Sequence, residues 1–290
     1  MDEQASRAAV AEHASGLGSW RFEFLAPTER LAPFVGRFNA YSERDTGFAR
    51  RREVPSCLAT LVFNLGQDLR VEHPLGTRAT FRAGAAFYTG LSATYAVTET
   101  DRSQEGAQVM LTPLGARRLL GFPLDEVGDR LIDPCDLFGA AARDMAGRLQ
   151  ETNSLAGRLL ILEQEMTPRL ALSRDGPPRD LIWALRRLTA TFGRIGVDAL
   201  AQELGCSRKH LAVRFRREFG MPPKLFARVA RFDHAVQLLR RDRVESWAGL
   251  ANECGYADQA HLTREFCEFA GSPPAAFLRR KLPDEGGFVD

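Results

Sequence analysis

The sequence predicts an α+β chain of more than one domain. A β-rich, barrel- or sandwich-like N-terminal domain ends in helices and is followed by an all-α C-terminal domain. Three observations predict this. Short alternating segments fill residues 20 to 112, helical spacing takes over at Pro113, and related segments recur near the C-terminus at an offset of 50 to 51 residues. A length of 290 residues gives room for about two domains, and 44% hydrophobic with 26% charged residues suits a chain that buries real cores.

The first residues, MDEQASRAAVAEHASG, are polar and start acidic, without the basic-then-apolar layout of a signal peptide. No apolar run approaches the roughly eighteen residues that a membrane-spanning helix needs, so a cytoplasmic location with no membrane partner is expected. Candidate strands follow at 20–25, 37–42, 58–65, 69–72, 85–89, 95–98 and 107–112, each bounded by Gly, Pro or charged turn residues. A curled antiparallel sheet would bury them. Between two of these strands, Arg50-Arg51-Arg52-Glu53 is expected as a solvated loop, with anion binding as the alternative. Trp20, Phe22, Phe63, Phe81, Phe87, Tyr88 and Tyr95 either pack the core or line an apolar pocket. His73 stands alone among histidines here, which disfavours a metal-binding barrel, and no cofactor is expected.

From Pro113, Leu114, Leu119 and Leu120, then 137–149, then 155–166 recur at helical spacing. Leu155, Leu159, Leu162 and Met166 form one stripe, expected in the core with a dimer face as the alternative. In Ser173-Arg-Asp-Gly-Pro-Pro178, Gly176 and two prolines cannot continue a helix, and the stretch is taken as a linker. The expected division is 1–175, 176–283 and a tail at 284–290. Helices are expected at 181–192, 197–204, 207–219, 223–240, 246–254, 258–269 and 274–281.

Within that helical region lies an internal repeat. Leu200-Ala-Gln-Glu-Leu-Gly205 matches Leu250-Ala-Asn-Glu-Cys-Gly255, and His210-Leu211, Phe215, Gly220 and Phe226 match His261-Leu262, Phe266, Gly271 and Phe277. Each copy makes sense as helix, tight turn, helix. Gly205 and Gly255 stand where a helix ends at positive φ, which glycine adopts without a steric penalty. Ser207 and Asp258 are placed to cap the next helix. Leu211, Phe215 and Phe219 form the buried stripe of one second helix, and Leu262, Phe266 and Phe269 that of the other. Phe232, Ala235, Val236 and Leu239 give the intervening helix an apolar face that can hold both units.

These residues carry a specific resemblance. The segment from about Arg179 to Lys281 resembles the double helix-turn-helix DNA-binding domain of AraC/XylS family transcriptional regulators, most closely over Leu250-Ala-Asn-Glu-Cys-Gly-Tyr-Ala-Asp-Gln-Ala-His-Leu-Thr-Arg-Glu-Phe266, then Gly271-Ser-Pro-Pro274 and Phe277. The resemblance implies two recognition helices inserted into adjacent major grooves of double-stranded DNA. On those helices Ser207, Arg208, Lys209, Ala212, Val213 and Arg214 in the first unit, and Gln259, Ala260, His261, Thr263 and Arg264 in the second, are the expected DNA-facing residues. Arg216, Arg217 and Lys224 are expected on phosphates, which add affinity without sequence information. Ala212 and Val213 replace the longer polar side chains frequent at these positions in relatives. The resemblance also makes RNA polymerase, a small-molecule effector and a second copy of the chain candidate partners.

Charge agrees with a polyanion partner. Residues 177–282 carry 19 Lys+Arg against 11 Asp+Glu, a net of +8; the remainder has 39 − 19 = 20 basic and 37 − 11 = 26 acidic residues, a net of −6. Cys57, Cys135, Cys206, Cys254 and Cys267 show no C-x-x-C spacing and are expected as free thiols rather than a disulfide or zinc framework. No nucleophile elbow, H-E-x-x-H or phosphate loop is present, so enzymatic function is not expected. A DNA-targeted enzyme and a non-specific DNA-binding module are the alternatives to a sequence-specific regulator.

Overall fold

The structure, a computed structural model, describes residues 6–74, 76, 78–127, 131–172, 176–242 and 244–290. Its N-terminal part is built on two antiparallel sheets. The larger runs β1 (Ala8–Ser15), β2 (Gly18–Leu25), β3 (Val35–Arg44), β10 (Gln104–Leu111), β5 (Ala59–Asn64), β8 (Ala86–Thr89) and β11 (Leu131–Ile132). The smaller runs β4 (Arg50–Glu53), β9 (Ala96–Glu99), β6 (Leu69–Glu72) and β7 (Arg78–Phe81). The seven expected strands all form, with ends shifted by a few residues.

Strand alternation decides what each face of the large sheet meets. Ala107, Val109 and Leu111 of β10 are fully buried and join a core under helix α4 (Leu155–Leu172). The intervening Gln104, Gln108 and Met110 face the other way, into a cavity. Gly106 lets that face close around Tyr41, because a Cβ there would fall 2.4 Å from the Tyr41 hydroxyl. The stripe Leu155, Leu159, Leu162 and Met166 is buried against the sheet, so it is core of the N-terminal part. Helices α1 (Pro113–Leu120), α2 (Pro134–Phe138) and α3 (Ala140–Glu151) complete this layer.

The expectation of a loop at Arg50-Arg51-Arg52-Glu53 is corrected. These residues are β4, pairing with β9 from Arg50 opposite Glu99 to Glu53 opposite Ala96. Their arginines are held by carboxylates: Arg51 by Glu43, Arg52 by Asp290, and Arg50 by Glu99 at 3.2 Å.

The C-terminal part consists of α5 (Arg179–Ala190), α6 (Val197–Glu203), α7 (Arg208–Phe219), α8 (Pro223–Arg240), α9 (Trp247–Glu253), α10 (Gln259–Ala270) and α11 (Pro274–Leu278). Residues 173–175 of the expected linker lie outside the described residues. Helix α8 serves both repeat units through its aromatics. Phe226 meets Phe215 of α7 at 6.0 Å, and Phe232 meets Phe266 and Phe269 of α10 at 4.9 and 5.3 Å, all edge-to-face.

This helical core continues into the N-terminal part. Leu114 of α1 and Phe288 belong to it, and Phe34, Val54, Cys57 and Leu91 pack against it. Residues 284–290, set apart in the sequence as a tail, therefore have a packed role. Phe288 is 2% exposed and stacks on Phe277 at 3.8 Å, and Val289 bridges to Arg51 of β4.

Candidate nucleic-acid interface

Each unit is closed at both ends by the residues the repeat singled out. Ser207 accepts a hydrogen bond from the His210 amide at 3.2 Å, and Gly220 ends α7 at φ 83°. Asp258 accepts from the His261 amide at 2.7 Å, and Gly271 ends α10 at φ 69°. The turns before these helices pass through Gly205 at φ 61° and Gly255 at φ 77°. The two helices are therefore anchored on their buried stripes, Leu211–Phe215–Phe219 and Leu262–Phe266–Phe269, and present their opposite faces outward.

On α7 the outward face carries Arg208, Lys209, Arg216 and Arg217, together with Val213 at 63% exposure. Ser207 is exposed just before it, Ala212 is half-buried, and Lys224 is exposed in the first turn of α8. Val213 is thus an open apolar side chain among the basic side chains of this face. On α10, Gln259, Ala260 and Arg264 are exposed.

Three expected contacts are engaged elsewhere. Arg214 forms a two-pronged ion pair with Asp180 of α5 at 2.6 and 3.0 Å, and its hydrogen bonds hold the Asp180 carboxyl below the usual range. Thr263 donates its hydroxyl to the Gln259 carbonyl at 2.9 Å. His261 accepts from the Ala257 amide at 3.4 Å and lies edge-on to Tyr256, so its ring finishes the turn. Arg208 also reaches Asp198 at 3.0 Å, but both side chains are exposed, a pairing that contributes little.

Sequence reasoning passed over the charges that set the position of α10. Glu265 is buried, and Arg228 of α8 bridges it and Glu268. Arg231, one turn further along α8, donates to the Gly193 carbonyl at 3.0 Å. Gly193 is required there: a Cβ would lie 2.0 Å from the Ala227 carbonyl oxygen. The spacing of Arg228 and Arg231 against Glu265 and Glu268, each three apart, was the available signal.

Contacts from the N-terminal part reach the second helix of each unit, α7 and α10. Arg117 of α1 donates to Glu218 of α7 at 2.8 Å, with both side chains largely buried. Arg52 of β4 donates to the Ala270 carbonyl, at the end of α10, at 2.7 Å. Between the two sheets, α8 and residues 285–288 lies a cavity of about 740 Å³, a size that accommodates a small ligand. Phe22, Phe87, Leu69 and Val71 are among its apolar walls. Burial pushes the Cys57 thiol well up and the Cys254 thiol to about 12, so neither is an activated nucleophile. None of the described helices is long and apolar enough to cross a membrane.

Comparison with known proteins agrees with this geometry. Residues 200–280 match a family model described as a helix-turn-helix domain, and this segment is an AraC-type DNA-binding domain. No curated protein sequence matches the chain. Among solved structures, wild-type ToxT from Vibrio cholerae strain SCE256, with an unsaturated fatty acid bound, is 11% identical, covering 96% of this chain and 97% of that one at a TM-score of 0.51. An apo ToxT variant from the same strain is 12% identical, covering 83% and 97% at a TM-score of 0.50. These likenesses show a shared two-part fold of β-rich sheets followed by the helical domain.

Proposed function

We propose that the chain is a sequence-specific transcription regulator that inserts α7 and α10 into adjacent major grooves of one face of double-stranded DNA. Its helix-turn-helix domain makes it a DNA-binding protein of the regulator class. The finer reading rests chiefly on one observation: α8 packs both units through Phe226 and Phe232 and so fixes their separation within one chain. With 18 residues, α8 spans about 27 Å, the same order as the roughly 34 Å between successive grooves.

In this reading Val213, Gln259, Ala260 and Arg264 meet base edges, while Lys209, Arg216, Arg217 and Lys224 meet phosphates. Arg208 and Ser207 stand at the entry of α7, where either role is open to them. Control passes through the N-terminal part, supported by its direct contacts to both recognition helices at Glu218 and Ala270. A small-molecule effector is part of this proposal, supported by the cavity against α8 and by the fatty acid held in ToxT. No catalytic step is proposed, and the cytoplasm is the expected place of action.

Genomic-fragment selection with the full-length protein, at physiological salt and with excess random competitor, tests the reading. Enrichment of a motif spanning two successive major grooves is expected. Uniform recovery of fragments with a steep salt dependence would instead identify a non-specific binder.

A further inference from the structure

Strand β1 ends one side of the large sheet, so it has a neighbour on one flank only. Its ladder with β2 shows which groups are left over. The Ala26 amide donates to the Arg7 carbonyl at 2.9 Å, so Arg7 and every second residue after it exchange bonds with β2. Ala8, Val10, Glu12 and Ala14 therefore turn their N–H and C=O groups away from the sheet. Among the described residues no backbone hydrogen bond reaches those groups. The strand is also open to solvent: Val10 is 54% exposed, and within β1 only Ala11 and His13 are half-buried.

The other sheet edges are blunted in ways that this one is not. Strand β11 has only two residues. Strand β7 has four and opens on the exposed Arg78. Strand β4 is covered, since its Arg52 amide donates to the Phe288 carbonyl at 2.9 Å and Arg51 bridges to Val289. In contrast, β1 runs for eight residues with no proline, no lysine and no bulge in its ladder. Its single carboxylate, Glu12, is paired with Arg21 at 3.1 Å, and His13 is drawn onto Trp20 and Asp284. Four alanines, at 8, 9, 11 and 14, leave its backbone within reach of a neighbouring chain.

We propose that β1 pairs antiparallel with β1 of a second copy of this chain, joining two seven-stranded sheets into one across a two-fold axis at Ala11. The bonding pattern selects this register. Val10 stands opposite Glu12 of the second copy and Ala8 opposite its Ala14, and the symmetry doubles both, so four pairs each exchange two backbone bonds. A slide of one residue sets outward groups against inward ones. A slide of two loses one of the four pairs, and in one direction also sets Glu12 against its own copy. In the chosen register Ala11 meets Ala11, and Ala9 meets His13. One long open edge per chain closes the assembly at two copies. This interface is separate from the α4 stripe, which is buried within each chain, and from the cavity, which no residue of β1 lines. Two double helix-turn-helix domains per dimer bear on DNA only through the function proposed above; the pairing itself does not rest on it.

Sedimentation equilibrium of the full chain across the micromolar range, without DNA, is expected to show a monomer–dimer equilibrium. Val10→Pro removes an N–H that faces away from β2, so the ladder within the chain keeps its bonds. It is expected to weaken the dimer by about five- to a hundredfold, the size of two lost backbone bonds. Cysteine cross-linking checks the register and does not depend on how Val10→Pro folds. Ala11→Cys should give a disulfide-linked dimer on a non-reducing gel after diamide oxidation, because residues facing each other in a non-hydrogen-bonded pair have Cα atoms about 4.5 Å apart. Ala9→Cys, whose two copies lie about 13 Å apart along the ladder, should link no faster than the wild type with its native cysteines. A chain that stays monomeric, a species larger than a dimer, or a stably folded Val10→Pro that dimerises as tightly as the wild type overturns the proposal. So does linking of Ala9→Cys as fast as Ala11→Cys. Since no readout involves DNA, each of these failures leaves the proposed regulator standing.

Discussion

Truncating Phe266 to alanine tests the core that orients α10, the second helix of the second unit. Phe266 is fully buried and meets Phe232 of α8 at 4.9 Å and Phe277 of α11 at 5.2 Å, both edge-to-face. Removing a buried phenyl ring of this kind costs about 3–5 kcal/mol, which includes the loss of two aromatic pairs at roughly 0.5–1.5 kcal/mol each. The helical core is continuous with Leu114 and Phe288, so the change is felt by a cooperative unit larger than one helix-turn-helix. At about 2–4 °C per kcal/mol for a unit of 150–250 residues, the melting midpoint should fall by about 6–20 °C. Differential scanning fluorimetry measures the shift, and hydrogen exchange locates it. Amides of 259–270 should lose protection before those of 208–219, because Phe215 and Phe226 hold the first unit without Phe266. A fall of less than about 2 °C, or equal loss of protection in both units, refutes the assignment of Phe266 as the hub of the second unit.

Arg264→Ala should weaken binding to a selected site by about 1–3 kcal/mol and relax its sequence preference at one position, whereas equal weakening on random DNA identifies a phosphate contact. Asp180→Asn should free Arg214. Because the folded-state pKa of Asp180 is depressed, its stabilisation is present above the unfolded value of about 3.9 and lost as pH falls through the lower folded value. Near neutral pH the variant should therefore lose under about 1 kcal/mol, as the pair is about a third exposed, and this difference should vanish in strong acid. Gel-shift titration of the same variant should show tighter non-specific binding; an unchanged salt slope counts against Arg214 reaching a phosphate. Glu218→Ala strands the buried Arg117 and should destabilise by about 3–5 kcal/mol, whereas a paired Arg117→Met and Glu218→Met replacement should cost much less. Equal losses in chemical denaturation would show that the pair is not acting as a buried ion pair.

The C-terminal architecture was legible because its signals are local. Gly205, Ser207, Gly220, Gly255, Asp258 and Gly271 punctuate the helices by backbone rules that act within a turn, and the two copies state those rules twice. The apolar stripes follow from the helical period alone, so all seven helices were found with their ends shifted by only a few residues. Strands whose inward faces are apolar, such as β5 and β10, were legible on the same grounds.

Other features were set by partners distant in sequence. Strand β4 is four charged residues that no propensity favours as sheet; pairing with β9, and carboxylates at Glu43, Glu99 and Asp290, make it one. Strand β1, largely exposed and rich in alanine, exists through its pairing with β2. The same holds at the candidate DNA surface. That α7 and α10 face outward was fixed by their stripes. That Arg214 is bound to Asp180, and that residues 284–290 cross back to meet β4, depended on contacts spanning 34 and about 240 residues. Period and capping are short-range consequences of backbone geometry, whereas the partner of a charge is chosen by whichever opposite charge the folded chain brings within reach.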